Sequence, residues 1–173
     1  MTMLSFKFIK EKFIKSLPLV ILYFLSLNSF VLVKNIPNVD VFSFNLQMII
    51  IYFYALKFPE YLGFGHVFLI GIFKDVLIGT PLGSTALCYL VLCLVATYLR
   101  NVTLRPRLAS EWFTFVPALF FSNATYFTII NNFSNLSFYY VELLRVTFFT
   151  FLFFPIFYFF LDSHLKLYNK DNA

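Results

Sequence analysis

The chain has 173 residues, of which 61% are hydrophobic, 23% aromatic and 12% charged, and its mean hydropathy is +0.84. Soluble domains carry about 25% charged residues, and disordered chains combine low hydrophobicity with high charge, so both classes are excluded. The net charge of +5 does not by itself indicate a nucleic-acid partner, because the basic residues lie near the ends of apolar segments. The composition predicts an all-α polytopic membrane protein.

Six apolar segments approach the length of about 20 residues that a transmembrane helix needs. They span residues 16–33, 41–56, 61–79, 82–99, 112–130 and 136–161. We therefore predict a single six-helix transmembrane domain over residues 16–161, between a basic segment, 1–15, and a tail, 162–173. Because the first segment is longer than a signal-peptide core and no cleavage site follows it, we expect it to stay as an anchor.

The positions of lysine and arginine favour six crossings with both termini in the cytoplasm. In that arrangement Lys34 alone lies on the far side, whereas ten basic residues lie on the cytoplasmic side, as the positive-inside rule requires. The ten are Lys7, Lys10, Lys12, Lys15, Lys57, Arg100, Arg105, Arg107, Lys166 and Lys170. Lys74 lies within the third segment, and we expect its side chain to reach toward the membrane interface.

An apolar stripe precedes the first crossing. Phe6, Ile9, Phe13 and Leu17 recur at steps of three and four residues, which is typical of one face of a helix. The basic residues between them would face elsewhere. The stripe indicates either an interfacial helix that lies on anionic lipid or a plain basic cluster that only sets the orientation of the chain.

All five glycines lie between Gly63 and Gly83, and within this window Gly71, Asp75, Gly79 and Gly83 follow one another at four-residue steps. Four residues turn a helix by about 400°, so the first three of this series share one face. Glycine lets membrane helices approach closely, whereas a carboxylate costs about 2.5–3.5 kcal/mol in the membrane interior. We therefore expect this face to pack against another helix or to dock a partner.

The helix of the third segment is predicted to end near Gly79. Thr80 precedes Pro81, and a residue before proline is disfavoured in helical conformation. Pro81 is expected in the first turn of the next helix, so residues 79–83 are predicted to form a tight turn on the non-cytoplasmic side. Residues proposed for helix packing or partner docking are Gly71, Asp75, Gly79, Pro81 and Gly83.

The remaining polar residues give no sign of catalysis. Glu142 and Arg145 are three residues apart and are predicted to form an intramembrane ion pair. Cys88 and Cys93 would lie about 7.5 Å apart along a helix, too far for a disulfide, and their spacing matches no metal site. No hydrolase, zinc-protease or nucleotide-binding motif is present. We expect no enzymatic activity, no catalytic residue, no metal and no cofactor.

The series from Gly71 to Gly83 resembles MreD, the rod-shape-determining membrane protein of bacteria. In that family an aromatic pair closes the second crossing and a proline follows it. Here the aromatic run Tyr52-Phe53-Tyr54, with Tyr54 as its last residue, is followed by Pro59. A glycine–aspartate–glycine series then closes the third crossing and opens the fourth. Pro155 corresponds to a proline that is common in the last crossing of the family.

The resemblance implies a non-enzymatic subunit of the cell-elongation (rod) complex in the bacterial cytoplasmic membrane. Such a subunit would associate with MreC and, through it, with the MreB filament, RodA and a penicillin-binding protein that build the lateral peptidoglycan wall. Membrane lipids are expected as neighbours, and neither nucleic acid nor a small-molecule substrate is expected.

A second family is an alternative. Six short crossings also resemble the substrate-binding membrane subunit of an energy-coupling-factor vitamin transporter. Those subunits dock on their transporter through alanine-x3-alanine rows in the first crossing, and residues 16–33 contain no alanine. The sequence therefore favours the MreD-like interpretation.

Overall fold

The chain is helical wherever the computed structural model describes regular structure. The described residues are 17–27, 45–102, 108–133 and 140–170, without the side chains of 140, 142 and 164–170. The helices are α1 (Leu17–Leu27), α2 (Leu46–Lys57), α3 (Pro59–Leu62), α4 (Phe64–Ile78), α5 (Ser84–Val102), α6 (Leu108–Phe133) and α7 (Tyr140–Lys170).

Three helices in the described part of the chain are long and apolar enough to cross a membrane. They are α5, α6 and the Leu143–Ser163 portion of α7, whereas α1 and α2 are shorter apolar helices. The prediction of a helical membrane protein is confirmed at this level, and the count of six crossings stays a prediction. The basic segment 1–15, with its apolar stripe, lies outside the described residues.

The third predicted segment differs from the single helix expected over residues 61–79. It consists of the single-turn α3, which has Pro59 at its start, and the 15-residue α4. Between them Gly63 has a φ of 56°, which side-chain-bearing residues rarely adopt. The break was missed because glycine in an apolar run also suits close helix packing. At 1.5 Å per residue α4 is about 22 Å long, shorter than the hydrocarbon core of about 30 Å.

Helix α5 is the centre of the bundle. It packs against α2, α4 and α6, and α7 packs against α2 and α6. Helices α2 and α7 run parallel, since the backbone N–H of Asn45 donates to the Thr150 hydroxyl at 2.9 Å and Lys57 pairs with Asp162 at 3.0 Å. The bundle thus has one end at the α4–α5 turn, called here the hairpin end, and an opposite end at the Lys57–Asp162 pair.

An aromatic cluster joins α2, α6 and α7. The ring centroids of Tyr52 and Phe115 lie 4.6 Å apart, and those of Phe115 and Phe154 also lie 4.6 Å apart. All three side chains are almost completely buried. The Tyr52 hydroxyl meets the Thr114 hydroxyl at 2.9 Å, so its polar end is satisfied within this core, as buried tyrosines require.

A proline inside α7 creates a polar link to α6. Pro155 has no N–H to donate to the carbonyl of Phe151, four residues earlier. The indole Nε1 of Trp112 donates to that carbonyl at 3.0 Å, and its ring stacks on the Phe151 ring at 5.1 Å. Pro155 therefore leaves free a carbonyl acceptor to which α6 donates.

We expect this link to appear as coupling between two substitutions. Pro155→Ala restores an N–H for the Phe151 carbonyl, so Trp112→Phe should cost about 1 kcal/mol less in the Pro155→Ala background than in the native chain. Unfolding of the four variants in detergent measures this difference. Strictly additive effects would contradict the proposed link.

Gly71 is where α4 approaches α5 most closely. A Cβ built at Gly71 would overlap the backbone of Ala86, 2.6 Å from its nitrogen. Both residues are buried. Small residues of this kind allow membrane helices to pack backbone against backbone, so the packing expected for Gly71 is present within the chain itself.

Gly71→Ala should therefore destabilise the protein, by about 1–3 kcal/mol for an overpacked contact. Gly65→Ala, on the same helix, is the matched control, because a Cβ there meets nothing within 4 Å. Thermal unfolding of the two variants in detergent should show a lower midpoint for Gly71→Ala only. Equal midpoints would show that α4 and α5 can separate without cost.

Candidate functional site

The turn that joins α4 to α5 depends on two glycines. Helix α4 ends as predicted, with Gly79 in the left-handed region at φ 80°, and the Gly79 N–H donates to the Asp75 carbonyl at 2.9 Å. Gly83 has a φ of 96°. The space around both residues would accept a Cβ, so their backbone conformation, rather than close packing, requires glycine here.

The position of Pro81 corrects the sequence prediction. Helix α5 begins at Ser84, so Pro81 lies in the turn and outside the first helical turn. The Ser84 hydroxyl and N–H both donate to the Pro81 carbonyl, at 2.7 and 3.1 Å. The helix starts later because Gly83 has positive φ, which the right-handed helix excludes.

The Asp75 carboxylate holds this turn together through hydrogen bonds. Its oxygens accept hydrogen bonds from the Thr80 hydroxyl at 2.9 Å, from the Gly83 N–H at 2.9 Å and from the Thr85 N–H at 3.0 and 3.1 Å. Asp75 is 0% exposed. The carboxylate thus caps the N-terminus of α5, where free N–H groups and the helix dipole favour negative charge.

The side chain of Lys74, next to Asp75, is directed between the helices toward α2 and α5. Its predicted reach toward the membrane interface stays a prediction. Its ammonium donates to the Gln47 side-chain oxygen at 2.7 Å and to the Tyr89 hydroxyl at 2.9 Å. The Tyr89 hydroxyl in turn donates to Gln47 at 2.6 Å. The side chain turns inward because α2 and α5 present these two neutral acceptors between the helices.

Gln47 extends this network to α1. Its side-chain nitrogen donates to the Ser26 hydroxyl at 2.6 Å and to the Leu22 carbonyl at 3.2 Å. One side chain therefore joins α1, α2, α4 and α5. An amide with both ends used in this way fixes the relative positions of the helices more strictly than apolar contacts do.

A cavity of about 310 Å³ lies beside Lys74 near the hairpin end. It is formed by α2, α4, α5, α6 and α7, and its walls combine hydrogen-bonding and apolar side chains. The lining residues are Asn45, Met48, Lys74, Ile78, Thr85, Cys88, Tyr89, Asn123, Tyr126, Leu143, Val146, Thr147 and Thr150. Lys74 is the one charged residue among those described around it.

The other predicted site residues lie away from this cavity or outside the described residues. The side chain of Glu142 is not described, so its predicted pair with Arg145 lies outside the described residues. The Nε of Arg145 is buried and has no hydrogen-bond partner among the described residues. Tyr54 is buried and packs at the end of α2 against Phe53 and Phe58.

The opposite end of the bundle carries a second charged group. Lys57 pairs with Asp162 and lies 4.4 Å from the centre of the Tyr158 ring. Glu111 is buried nearby on α6, and its Oε2 has no hydrogen-bond partner within the described ranges. Over the same ranges no three histidine, cysteine, aspartate or glutamate residues gather as a metal site would require.

The cavity was not found by sequence reasoning. Its polar lining residues Tyr89, Asn123 and Thr147 are ordinary residues in three different apolar helices, and no spacing along the chain connects them. A usable signal was present in each helix, because a buried polar residue in an apolar run must find a partner. Which partner it finds depends on how the helices pack.

Asp75→Asn should loosen the hairpin. Both carboxylate oxygens accept N–H groups, so either orientation of the amide turns an NH₂ toward a donor. We expect a loss of about 1–3 kcal/mol and faster hydrogen exchange at the Gly83 and Thr85 amides. Thr80→Val removes one bond and should have the smaller effect. Unchanged exchange in Asp75→Asn would show that the carboxylate is not the cap.

Comparison of the chain with known protein families, curated proteins and solved structures finds no match. The resemblance to MreD therefore rests on the motif residues themselves.

Proposed function

We propose that the chain is a non-enzymatic integral membrane subunit of the bacterial cell-elongation complex, similar to MreD, that scaffolds MreC and lateral-wall peptidoglycan synthesis. The observation that carries the proposal concerns the motif residues. Asp75, Gly79 and Gly83, on which the resemblance rests, act together to close one helical hairpin. A motif that only fixes the packing of two helices suits a scaffold, because a scaffold holds a binding surface in place and catalyses no reaction.

In the proposed arrangement the chain crosses the cytoplasmic membrane six times, with both termini in the cytoplasm. Helices α5, α6 and α7 are long enough to cross, and the asymmetry of lysine and arginine supports this orientation. The hairpin end then faces away from the cytoplasm. MreB, RodA and a penicillin-binding protein would be reached through MreC.

The docking surface that we propose is the outer face of α4. Its side chains Phe68, Leu69 and Val76 are 38–63% exposed, whereas Gly71 and Asp75 on the inner face pack against α5. Helix α4 is also shorter than the hydrocarbon thickness of a bilayer, and association with another helix is one way in which a short span is accommodated. An apolar helix of MreC would cover this face.

Leu69→Trp should reduce recovery of MreC from membranes severalfold without changing the level of the tagged chain. The residue is 55% exposed on α4, so the larger side chain alters the docking surface and leaves the core intact. Leu152→Trp, at a 46% exposed site on α7, is the matched control. Pull-down from membranes with mass spectrometry makes the comparison. Absence of MreC from the native pull-down would contradict the proposal.

The cavity favours a second candidate, the substrate-binding membrane subunit of an energy-coupling-factor vitamin transporter. A pocket of about 310 Å³ is within the range of small-molecule sites. Helix α1 has no alanine for the docking row of such subunits. The same pull-down distinguishes the two functions, since a transporter subunit would recover a pair of ATPases and retain a vitamin at nanomolar affinity.

A further inference from the structure

In the described part of the chain, the Lys74 ammonium has hydrogen bonds to neutral groups only and no ion pair with a carboxylate. An ammonium has three N–H donors, and the two acceptors within hydrogen-bond distance, Gln47 and Tyr89, are neutral. The neighbouring Asp75 carboxylate is directed into the hairpin, where its oxygens accept from Thr80, Gly83 and Thr85. Keeping an ammonium in a membrane bundle is unfavourable without a counter-charge.

The cavity beside Lys74 has the properties of a ligand site. Its volume of about 310 Å³ lies at the lower end of the range for small-molecule pockets. Its lining combines polar side chains, such as Asn123 and Thr147, which hydrogen-bond to each other at 2.9 Å, with the apolar side chains Met48, Leu143 and Val146. A lining of this mixed kind suits a small group that has both polar and apolar parts.

The position of the cavity indicates which anion would reach it. Lys74 lies about one helical turn before the turn at residues 79–83, and turns between membrane helices lie at the level of the lipid headgroups. Phosphate is the abundant anion at that depth. Lysine binds phosphate as a compact point charge with rotatable donors.

We propose that this cavity binds a phosphate group, with the Lys74 ammonium as its counter-charge. The phosphate belongs either to a phospholipid headgroup or to a free phosphate-bearing solute. Binding at this site requires neither MreC nor any other subunit, so the proposal goes beyond the scaffold function and stands or falls separately from it.

The test uses the purified full-length chain in detergent with two probes. Phosphatidylglycerol in mixed micelles, read by native mass spectrometry, represents the lipid source, and radiolabelled inorganic phosphate in equilibrium dialysis represents the free source. We expect saturable binding of one of them. Lys74→Gln, which keeps a hydrogen-bond donor, should weaken that binding about tenfold or more. Lys57→Gln, at the opposite end of the bundle, should leave it unchanged.

A second pair of variants tests the cavity without touching the charge. Leu143→Trp places a large ring where Leu143 lines the cavity, and should also abolish binding. Leu144→Trp is its matched control, because Leu144 is 65% exposed on the outer face of the same helix. If Lys74→Gln does not fold, the comparison of Leu143→Trp with Leu144→Trp still tests whether the probe binds in this cavity.

Each outcome has one meaning. Retention of phosphatidylglycerol that is lost in Leu143→Trp and Lys74→Gln supports a lipid headgroup, and the same pattern with inorganic phosphate supports a free solute. Binding of neither probe to the native chain, or binding that is undiminished in a folded Lys74→Gln or in Leu143→Trp, overturns the proposal. Recovery of MreC is measured independently, so failure of the scaffold function is distinguished from failure of the phosphate site.

Discussion

The hydrogen bonds from the Asp75 carboxylate to the turn and first N–H groups of α5 are the constraint on which this end of the molecule depends. A carboxylate in a membrane protein needs donors, and a helix N-terminus needs acceptors. The Asp75 carboxylate supplies the acceptor for the N–H groups of α5, and those N–H groups supply the donors that the carboxylate needs. The cap fixes the end of α4 against the start of α5 and thereby keeps Gly71 on Ala86.

Lys74 has partners different from those of its neighbour Asp75. Adjacent residues of a helix do not face each other, so the Lys74 side chain is directed to neutral acceptors on α2 and α5 while Asp75 caps the hairpin. Gln47 then connects that lysine to α1. Asp75 and Lys74 therefore have separate roles: Asp75 caps the hairpin, and Lys74 lies beside the cavity.

The rest of the bundle supplies a frame for that cavity. The ring cluster of Tyr52, Phe115 and Phe154 and the bond from Trp112 to the carbonyl left free by Pro155 hold α6 and α7 together. The residues that make these contacts are not among those that line the cavity. Helices α6 and α7 can therefore contribute polar side chains to the cavity wall while their packing is maintained elsewhere, by apolar and aromatic groups.

The sequence by itself determined the helical membrane class, the end of α4 at Gly79 and the importance of Gly71 and Asp75, because composition, glycine spacing and the residue before proline act locally. Tertiary structure decided the break at Gly63 and the start of α5 at Ser84. It also decided the inward course of Lys74 and the existence of the cavity. These depend on which helices become neighbours, and a buried polar side chain cannot reveal its partner until the helices that carry both have packed.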